Sequence, residues 1–186
     1  RKTEVFFCLD DETSALINGL KVGAQSKSSR INPIKAGKTA EIWTGGLGKF
    51  SIAEQFFRKA GLTRKGVFAE KLIVVSPFFD ESGNINVLGQ DSFLGTLAAK
   101  TRGQKDVSIY LPAEVGSDGK WEVSAQADVF RPLKNASYYC VDSSNGYLHA
   151  KVIVVKVDGQ WHILACSPNC TNAGMMGRIV EVAVYL

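Results

Sequence analysis

The chain has 186 residues, of which 45% are hydrophobic and 22% are charged, and its formal net charge at neutral pH is +4. This length favours one domain, and the hydrophobic fraction is ample for a buried core. No apolar run approaches the roughly 20 residues that a membrane-spanning helix needs and no signal-peptide pattern is present, so a soluble protein without a membrane span is expected.

The first 38 residues differ from the rest in pattern. Val5–Leu9 is an apolar run that predicts a strand, and Thr13–Leu20 predicts a short helix. Gly23–Lys38 is rich in Ser, Lys and Gly and has little apolar periodicity, so it predicts a linker. We therefore expect an N-terminal strand, helix and basic linker in residues 1–38, followed by one main domain in residues 39–186.

Positive charge is concentrated in residues 21–71, which hold eleven lysines or arginines against three glutamates. Charge density alone favours an ordinary solvated surface. Beside a site that handles phosphate, however, such a segment would attract a polyanion and release its counterions. On that interpretation, the residues expected to bind nucleic acid are Lys27, Arg30, Lys35, Lys38 and Lys49.

Regular structure resumes at Thr39–Trp43, after which the glycine-rich segment Gly45–Lys49 turns the chain. Glycines can bring backbone N–H groups close to a phosphate, but this segment lacks the Gly-Lys-Ser/Thr ending of a phosphate loop. A tight turn is therefore the better interpretation. Ser51 and Glu54 have capping-box spacing, which predicts a helix over residues 51–60.

Strands and helices then alternate along the chain. Leu72–Val75 is a continuous apolar run, which predicts a strand buried on both faces. Asp91–Ala99 has apolar residues at helical spacing, and Val107–Leu111 predicts the next strand. Strand, helix and strand in this order imply a right-handed crossover with parallel pairing, and a further helix is expected over Ser124–Phe130. We predict an α/β fold with a central mixed, largely parallel sheet flanked by helices.

A hairpin is predicted near the end of the chain. After a strand at Tyr138–Val141, the apolar runs Leu148–Val155 and Ile163–Asn169 lie on either side of Asp158-Gly159. Asp-Gly between hydrophobic runs is the strongest short-range hairpin signal. Folding this hairpin would return the end of the second run to the start of the first.

The candidate site residues lie at the open end of this hairpin. His149 and Lys151 are two residues apart, so both side chains point to one face of a strand. Ser167 and Asn169 have the same parity if the strand continues past Pro168. A nucleophile or base, a fixed cation and two neutral hydrogen-bonding groups would then converge, which suits a phosphate.

The segments His149-Ala150-Lys151 and Cys166-Ser167-Pro168-Asn169 resemble the signature of the phospholipase D superfamily, which is His-x-Lys on one strand and Gly-Ser-x-Asn on the next. Lys156 stands at the position of the signature's aspartate, and Cys166 at that of its glycine. The resemblance extends outward to the strand end at Val74–Asp80 and to Glu181 in a predicted terminal strand. It covers about residues 40–186 and includes one motif copy.

The resemblance implies a metal-independent phosphodiesterase without a cofactor and, together with the basic segment, an endonuclease that cleaves DNA. His149 would attack phosphorus and form a phosphohistidine, while Lys151, Ser167 and Asn169 stabilise the developing charge. Glu181 would accept the other imidazole N–H. The family takes its general acid from the histidine of a second motif copy, so a homodimer or a second motif-bearing half is expected.

Two other function classes stay open. A phospholipid phosphodiesterase or phosphatidyl transferase is disfavoured because no amphipathic membrane-facing stretch stands out. A catalytically weak nucleic-acid-binding module of a larger restriction or helicase-type protein is favoured by Cys166 and by the missing aspartate. Because the chain begins at Arg1 rather than Met and ends on an apolar strand, we expect it to be a piece of a longer protein.

The four cysteines are scattered without the spacing of a small disulfide-rich domain, which favours a reducing, cytoplasmic compartment. A zinc site built from Cys166, Cys170, His149 and His162 is the weaker alternative because the chain has no Cys-x-x-Cys pair, so no metal is predicted. His162 is expected to be exposed or structurally hydrogen-bonded. Aromatic residues expected in the core, rather than at a base-stacking or lipid surface, are Trp43, Trp121, Phe78 and Phe79.

Overall fold

The computed structural model describes residues 40–45, 50–80, 92–101, 106–123, 125, 127–130, 133, 135–143, 147–177 and 180–186. These residues belong to one compact unit, Lys38–Leu186. The strand, helix and linker predicted for residues 1–38 lie outside the described residues, as does most of the predicted turn at residues 45–49.

The described strands form one eight-stranded mixed sheet. Its order is β1-β8-β7-β6-β2-β3-β4, and β5 pairs with β3. The strands are β1 (Glu41–Gly45), β2 (Lys71–Val75), β3 (Val107–Val115), β4 (Trp121–Val123), β5 (Ser137–Asp142), β6 (Val152–Val157), β7 (Gln160–Cys166) and β8 (Glu181–Tyr185). The α/β class and the mixed sheet are confirmed.

The prediction of a largely parallel sheet is wrong. Only β2–β3 and β3–β5 pair in parallel among the described strands, and the remaining neighbours pair antiparallel. Parallel partners need a long crossover connection, which the stretch containing the helix between β2 and β3 provides. β6 and β7 are joined by two residues and β3 and β4 by five, and connections this short permit only antiparallel pairing.

The helices of the described part are α1 (Ile52–Lys59), α2 (Phe93–Ala99) and the short α3 (Asn172–Met175). The predicted capping box is confirmed, because the Ser51 hydroxyl accepts from the Glu54 N–H and the Glu54 carboxylate accepts from the Ser51 N–H. The helix predicted over residues 124–130 is instead a 3₁₀ turn, Ala127–Phe130. β4 ends at Val123, and Pro132 lacks the N–H that would carry a helix past residue 130.

One hydrophobic core joins the sheet to the helices. It combines side chains of α1 and α2, such as Phe56 and Phe93, with alternate residues of the central strands, such as Val74, Ile109 and Val155. Side chains that alternate along a strand share one face, so both helices cover the same face of the sheet. Helices on both faces, as the sequence predicted, are not found among the described residues.

The Asp158-Gly159 hairpin is confirmed. β6 and β7 pair antiparallel from Val152 opposite Ala165 to Val157 opposite Gln160, with only two residues between them. Both turn residues have positive φ, +49° at Asp158 and +74° at Gly159. Asp and Gly tolerate this left-handed region, and such a two-residue turn matches the twist of the flanking strands. The hairpin therefore places the start of β6 beside the end of β7.

Candidate active site

His149 and Lys151 form the first part of the site. They lie just before β6 rather than within it, in extended chain that follows Tyr147. The Lys151 Nζ lies 3.2 Å from each ring nitrogen of His149 and donates to the His149 carbonyl at 3.1 Å. An ammonium group has donors only, so in this contact Lys151 is the donor. The His149 ring is exposed and can be reached by a substrate.

Ser167 and Glu181 form the second part. The Ser167 hydroxyl donates to the Glu181 carboxylate and accepts from the Val182 N–H at 3.1 Å. The Ser167 N–H donates to the Val182 carbonyl at 2.9 Å, so β8 holds both the backbone and the side chain of this serine. The predicted contact between Glu181 and the imidazole of His149 is not formed among the described residues. Glu181 orients the serine instead.

Cys166 lies between these two pairs. Its N–H donates to the Lys151 carbonyl at 3.0 Å, which extends the β6–β7 ladder by one step towards His149. Burial raises the pKa of the Cys166 thiol to about 12, and the nearby Glu181 carboxylate also raises it, whereas the Lys151 ammonium lowers it. The residue is therefore a neutral thiol at neutral pH, and both charged residues lie close enough to act on it.

Asn169 lies in the loop after β7, because β7 ends at Cys166 and does not continue past Pro168. The Asn169 Oδ1 is buried and has no hydrogen-bond partner in the described part of the chain. A buried, unpaired polar atom costs about 1–3 kcal/mol. Such a cost is expected where a ligand or water supplies the missing partner.

Two buried residues at the end of β2 tether this loop. The Ser76 Oγ accepts from the Cys170 N–H at 3.1 Å. The Asp80 carboxylate accepts from the Asn172 N–H at 2.8 Å through one oxygen and from the Phe93 N–H at 2.8 Å through the other. Asp80 thus joins the first residue of α3 to the first residue of α2 and positions the Asn169 loop. Sequence reasoning did not assign this role to either residue, since the N–H groups of Cys170 and Asn172 that they bind are about 90 residues away in the chain.

Close packing also restrains the Asn169 loop from the side of α3. A Cβ atom added at Gly174 would lie 2.9 Å from the Pro168 Cβ and 3.2 Å from the Asn169 carbonyl oxygen. The first distance is shorter than real Cβ atoms show and the second is unusually tight, so the absence of a side chain at Gly174 lets α3 approach the loop this closely.

The predicted nucleic-acid-binding residues Lys27, Arg30, Lys35, Lys38 and Lys49 lie outside the described residues. The basic residues of this segment that are described lie away from His149. Arg64 pairs with Asp158 of the hairpin turn at 3.3 Å, and Lys71 lies opposite Lys156 at the turn end of β6. The candidate site lies at the opposite end of β6 and β7, away from the hairpin turn.

The other residues singled out from the sequence have mixed outcomes. The His162 Nδ1 lies 2.6 Å from the Tyr185 hydroxyl, so its prediction as a structurally bonded histidine is confirmed. No cluster of His, Cys, Asp and Glu in the described residues could hold a metal ion, and Cys166, Cys170, His149 and His162 do not form one. None of the described helices is both long and apolar enough to cross a membrane.

The aromatic predictions divide into two pairs. Trp43 packs against the core and stacks on Tyr185 with ring centroids 4.7 Å apart, and Phe79 is buried, so both are core residues as predicted. Phe78 and Trp121 are exposed by 48% and 43%, so the prediction of core positions for them is wrong. Phe78 follows the last residues of β2, where the chain leaves the sheet.

No family model matches the chain, and no curated protein sequence matches it. The chain is similar in structure to a phospholipase D family member. That protein, Nuc from Salmonella typhimurium, is 17% identical, with a TM-score of 0.44 over 79% of this chain and 82% of Nuc.

Two further solved structures are similar to the chain. Yeast tyrosyl-DNA phosphodiesterase is 13% identical, with a TM-score of 0.45 over 79% of this chain and 30% of the yeast protein. Polyphosphate kinase from Porphyromonas gingivalis is 8% identical, with a TM-score of 0.47 over 94% of this chain and 22% of the kinase. The chain thus spans less than a third of either protein, and no activity, substrate or partner passes from such distant likenesses to this chain.

Proposed function

We propose that this chain is a metal-independent phosphodiesterase that cleaves nucleic acid, with DNA as the expected substrate. The observation that carries the proposal is the meeting of two preassembled pairs, His149 with Lys151 and Ser167 with Glu181, on chain segments joined by the Cys166 N–H bond to the Lys151 carbonyl. They offer an accessible imidazole, a cation and an oriented hydroxyl at one end of the sheet. That set suits a phosphodiester.

The chemistry follows from these groups. A ring nitrogen of His149 attacks phosphorus, the bond from phosphorus to one ester oxygen breaks, and that oxygen leaves with a proton from a general acid. Lys151 and the side-chain amide N–H groups of Asn169 stabilise the negative charge on the remaining phosphoryl oxygens, and Ser167 contributes once its O–H turns from the Glu181 carboxylate to the phosphate. Water then attacks the phosphohistidine, gives up a proton to the same acid–base group, and releases His149 and a phosphomonoester.

Digestion of labelled single- and double-stranded nucleic acid in EDTA tests this proposal, with a labelled phospholipid as the alternative substrate. We expect cleavage of nucleic acid without added metal. Turnover of the phospholipid alone would favour the lipid phosphodiesterase, and tight binding without turnover would favour the non-catalytic module. Free thiols at Cys140, Cys166 and Cys170 suit the reducing, cytoplasmic setting that forms part of the proposal.

The proposal includes a two-fold homodimer, because a chain with one His-x-Lys motif needs a general acid from a second chain. An isologous interface places like residues opposite each other, so two copies of His149 would face one phosphate. Exposed apolar side chains precede and follow Glu181 in the chain: Val180 is 56% exposed and Val182 48%. A stable interface of this kind should bury more than about 1,000 Å².

Mixing His149→Ala chains with wild-type chains should lower the activity per wild-type chain. At a large excess of the variant, nearly every wild-type chain sits in a mixed dimer that holds one His149, and the loss of general acid–base catalysis costs about 10²–10⁴-fold. Mixing with the matched His162→Ala variant should have no such effect. Full activity from a chain that light scattering shows to be monomeric would rule the arrangement out.

Binding to nucleic acid should weaken steeply with salt if the basic segment contacts the phosphates. Replacing Lys27, Arg30, Lys35 and Lys38 with glutamine should flatten the slope of log affinity against log salt by about 0.9 for each phosphate that these side chains neutralise. Neutralising Lys100 and Lys156, which lie outside the basic segment, instead serves as the control and should leave the slope unchanged. An equal slope in both variants would mean that these charges form only a solvated surface.

A further inference from the structure

An open cavity of about 380 Å³ lies beside the candidate phosphodiesterase site. Its walls come from the end of β2, from β3 and β4, and from the chain that leads into His149. The lining residues are Phe78, Pro112, Ala113, Glu114, Glu122, Val123, Ser143 and Tyr147. None of them has a part in the chemistry described above.

Two exposed aromatic rings connect this cavity to the catalytic histidine. The ring of Tyr147 lies 6.1 Å from that of His149, and the ring of Phe78 lies 6.2 Å from that of Tyr147, measured between centroids. Tyr147 is 57% exposed and Phe78 48%. Exposed aromatic faces beside a phosphate site are the usual platform for stacking an unpaired base.

The opposite wall carries two carboxylates from neighbouring strands. Glu114 on β3 lies directly opposite Glu122 on β4 in an antiparallel pair, an arrangement in which like charges destabilise a sheet. Neither glutamate forms an ion pair with another described residue, and both are exposed. A ligand that donates hydrogen bonds or carries positive charge would relieve this repulsion.

A third polar group in the cavity also lacks a partner. The Ser143 Oγ is buried and has no hydrogen-bond partner in the described part of the chain, while its N–H donates to the Ala113 carbonyl at 3.1 Å. A hydroxyl can both donate and accept, so the ligand that fits it must offer hydrogen-bonding groups of its own.

We propose that this cavity binds the nucleobase next to the cleaved phosphate and prefers a base with an exocyclic amino group. The assignment rests on the proposed nucleic-acid phosphodiesterase. The base stacks on Phe78 and Tyr147, its amino group donates to Glu114 or Glu122, and its ring atoms pair with Ser143. A phosphate cannot occupy the cavity because the two carboxylates repel it. A quaternary ammonium group suits the rings and the charges but offers Ser143 no hydrogen bond.

Equilibrium binding of mononucleotides tests the inference without relying on turnover. We expect GMP and CMP to bind roughly tenfold more tightly than UMP, which has no base amino group, since a base amino group on a carboxylate discriminates by about 1–3 kcal/mol, and ribose 5-phosphate to bind more weakly still. The Glu114→Gln/Glu122→Gln variant should abolish the preference for GMP and CMP. Glu70→Gln, which removes a carboxylate at the other end of the sheet, should retain it.

A second variant guards against a folding defect. Phe78 is exposed, so the Phe78→Leu variant should fold normally. Its affinity for all three nucleotides should fall by roughly fivefold or more, and its affinity for ribose 5-phosphate should be unchanged. Equal affinity for all nucleotides and ribose 5-phosphate, or a preference that survives the double variant, would overturn the inference. Tighter binding of phosphocholine would overturn it in favour of a choline pocket. Hydrolysis of methyl p-nitrophenyl phosphate tests the proposed phosphodiesterase activity separately, because this substrate has no base.

Discussion

The His149→Ala variant should lose phosphodiester hydrolysis by roughly 10⁴-fold or more, while the wild-type protein works undiminished in EDTA. The imidazole supplies the lone pair that attacks phosphorus, and no described side chain could replace it, because Lys151 is a cation and Ser167 is engaged with Glu181. Loss of the nucleophile removes the covalent route entirely, which is why this effect should exceed that of any other substitution at the site.

His162→Ala is the matched control, because the chain has only two histidines and His162 bonds Tyr185 away from the site. Its activity should stay close to that of wild type at temperatures where it is folded. Acid-labile, base-stable label on the wild-type protein after a rapid quench, absent from His149→Ala, would identify the phosphohistidine. Turnover retained in His149→Ala, or strict dependence on added magnesium, would contradict the mechanism.

The Asp80→Ala variant should lower the free energy of unfolding by about 3–5 kcal/mol. The carboxylate is buried and accepts from the first N–H groups of α2 and α3, and hydrogen bonds to a charged group contribute roughly 1.5–3 kcal/mol each. For a chain of this size, such a loss corresponds to a fall in Tm of roughly 10 °C. Thermal unfolding followed by circular dichroism measures it.

Asp118→Ala provides the control, because Asp118 is also an aspartate but forms an exposed ion pair with Lys120 at 2.9 Å, and such pairs stabilise little. Asp80→Asn keeps one acceptor oxygen and should lose less stability than the alanine variant. Because Asp80 positions the Asn169 loop, the kcat of folded Asp80→Ala should also fall. A Tm no lower than that of Asp118→Ala would show that Asp80 does not tether the loop.

Much of the site could be predicted from local pattern. Alternating side chains put His149 and Lys151 together, and the Asp158-Gly159 turn brings Cys166 beside Lys151, because a two-residue turn leaves one possible register. The capping box at Ser51 was predictable for the same reason, since its bonds join residues three apart. These features depend on neighbours in the chain, and their physics is visible in the order of residues.

Other features depend on which distant segments meet, and the tertiary structure alone decided them. The sheet is mainly antiparallel because short connections outnumber crossovers, although the β2–α2–β3 unit by itself suggested parallel pairing. Glu181 contacts Ser167 rather than His149 because β7 ends at Cys166 and the next residue bonds to β8. No local sequence pattern indicates where a strand ends because its next residue forms hydrogen bonds with a segment distant in the chain.

Length, composition and local motifs thus determined the α/β class, the hairpin and the identity of the candidate nucleophile. The tether from Asp80 to α2 and α3, and the cavity between Phe78, Tyr147 and the Glu114–Glu122 pair, came only from the fold. The reason is physical: a strand or turn is selected by interactions among adjacent residues, whereas buried carboxylates and cavity walls are set by the packing of segments far apart in the chain.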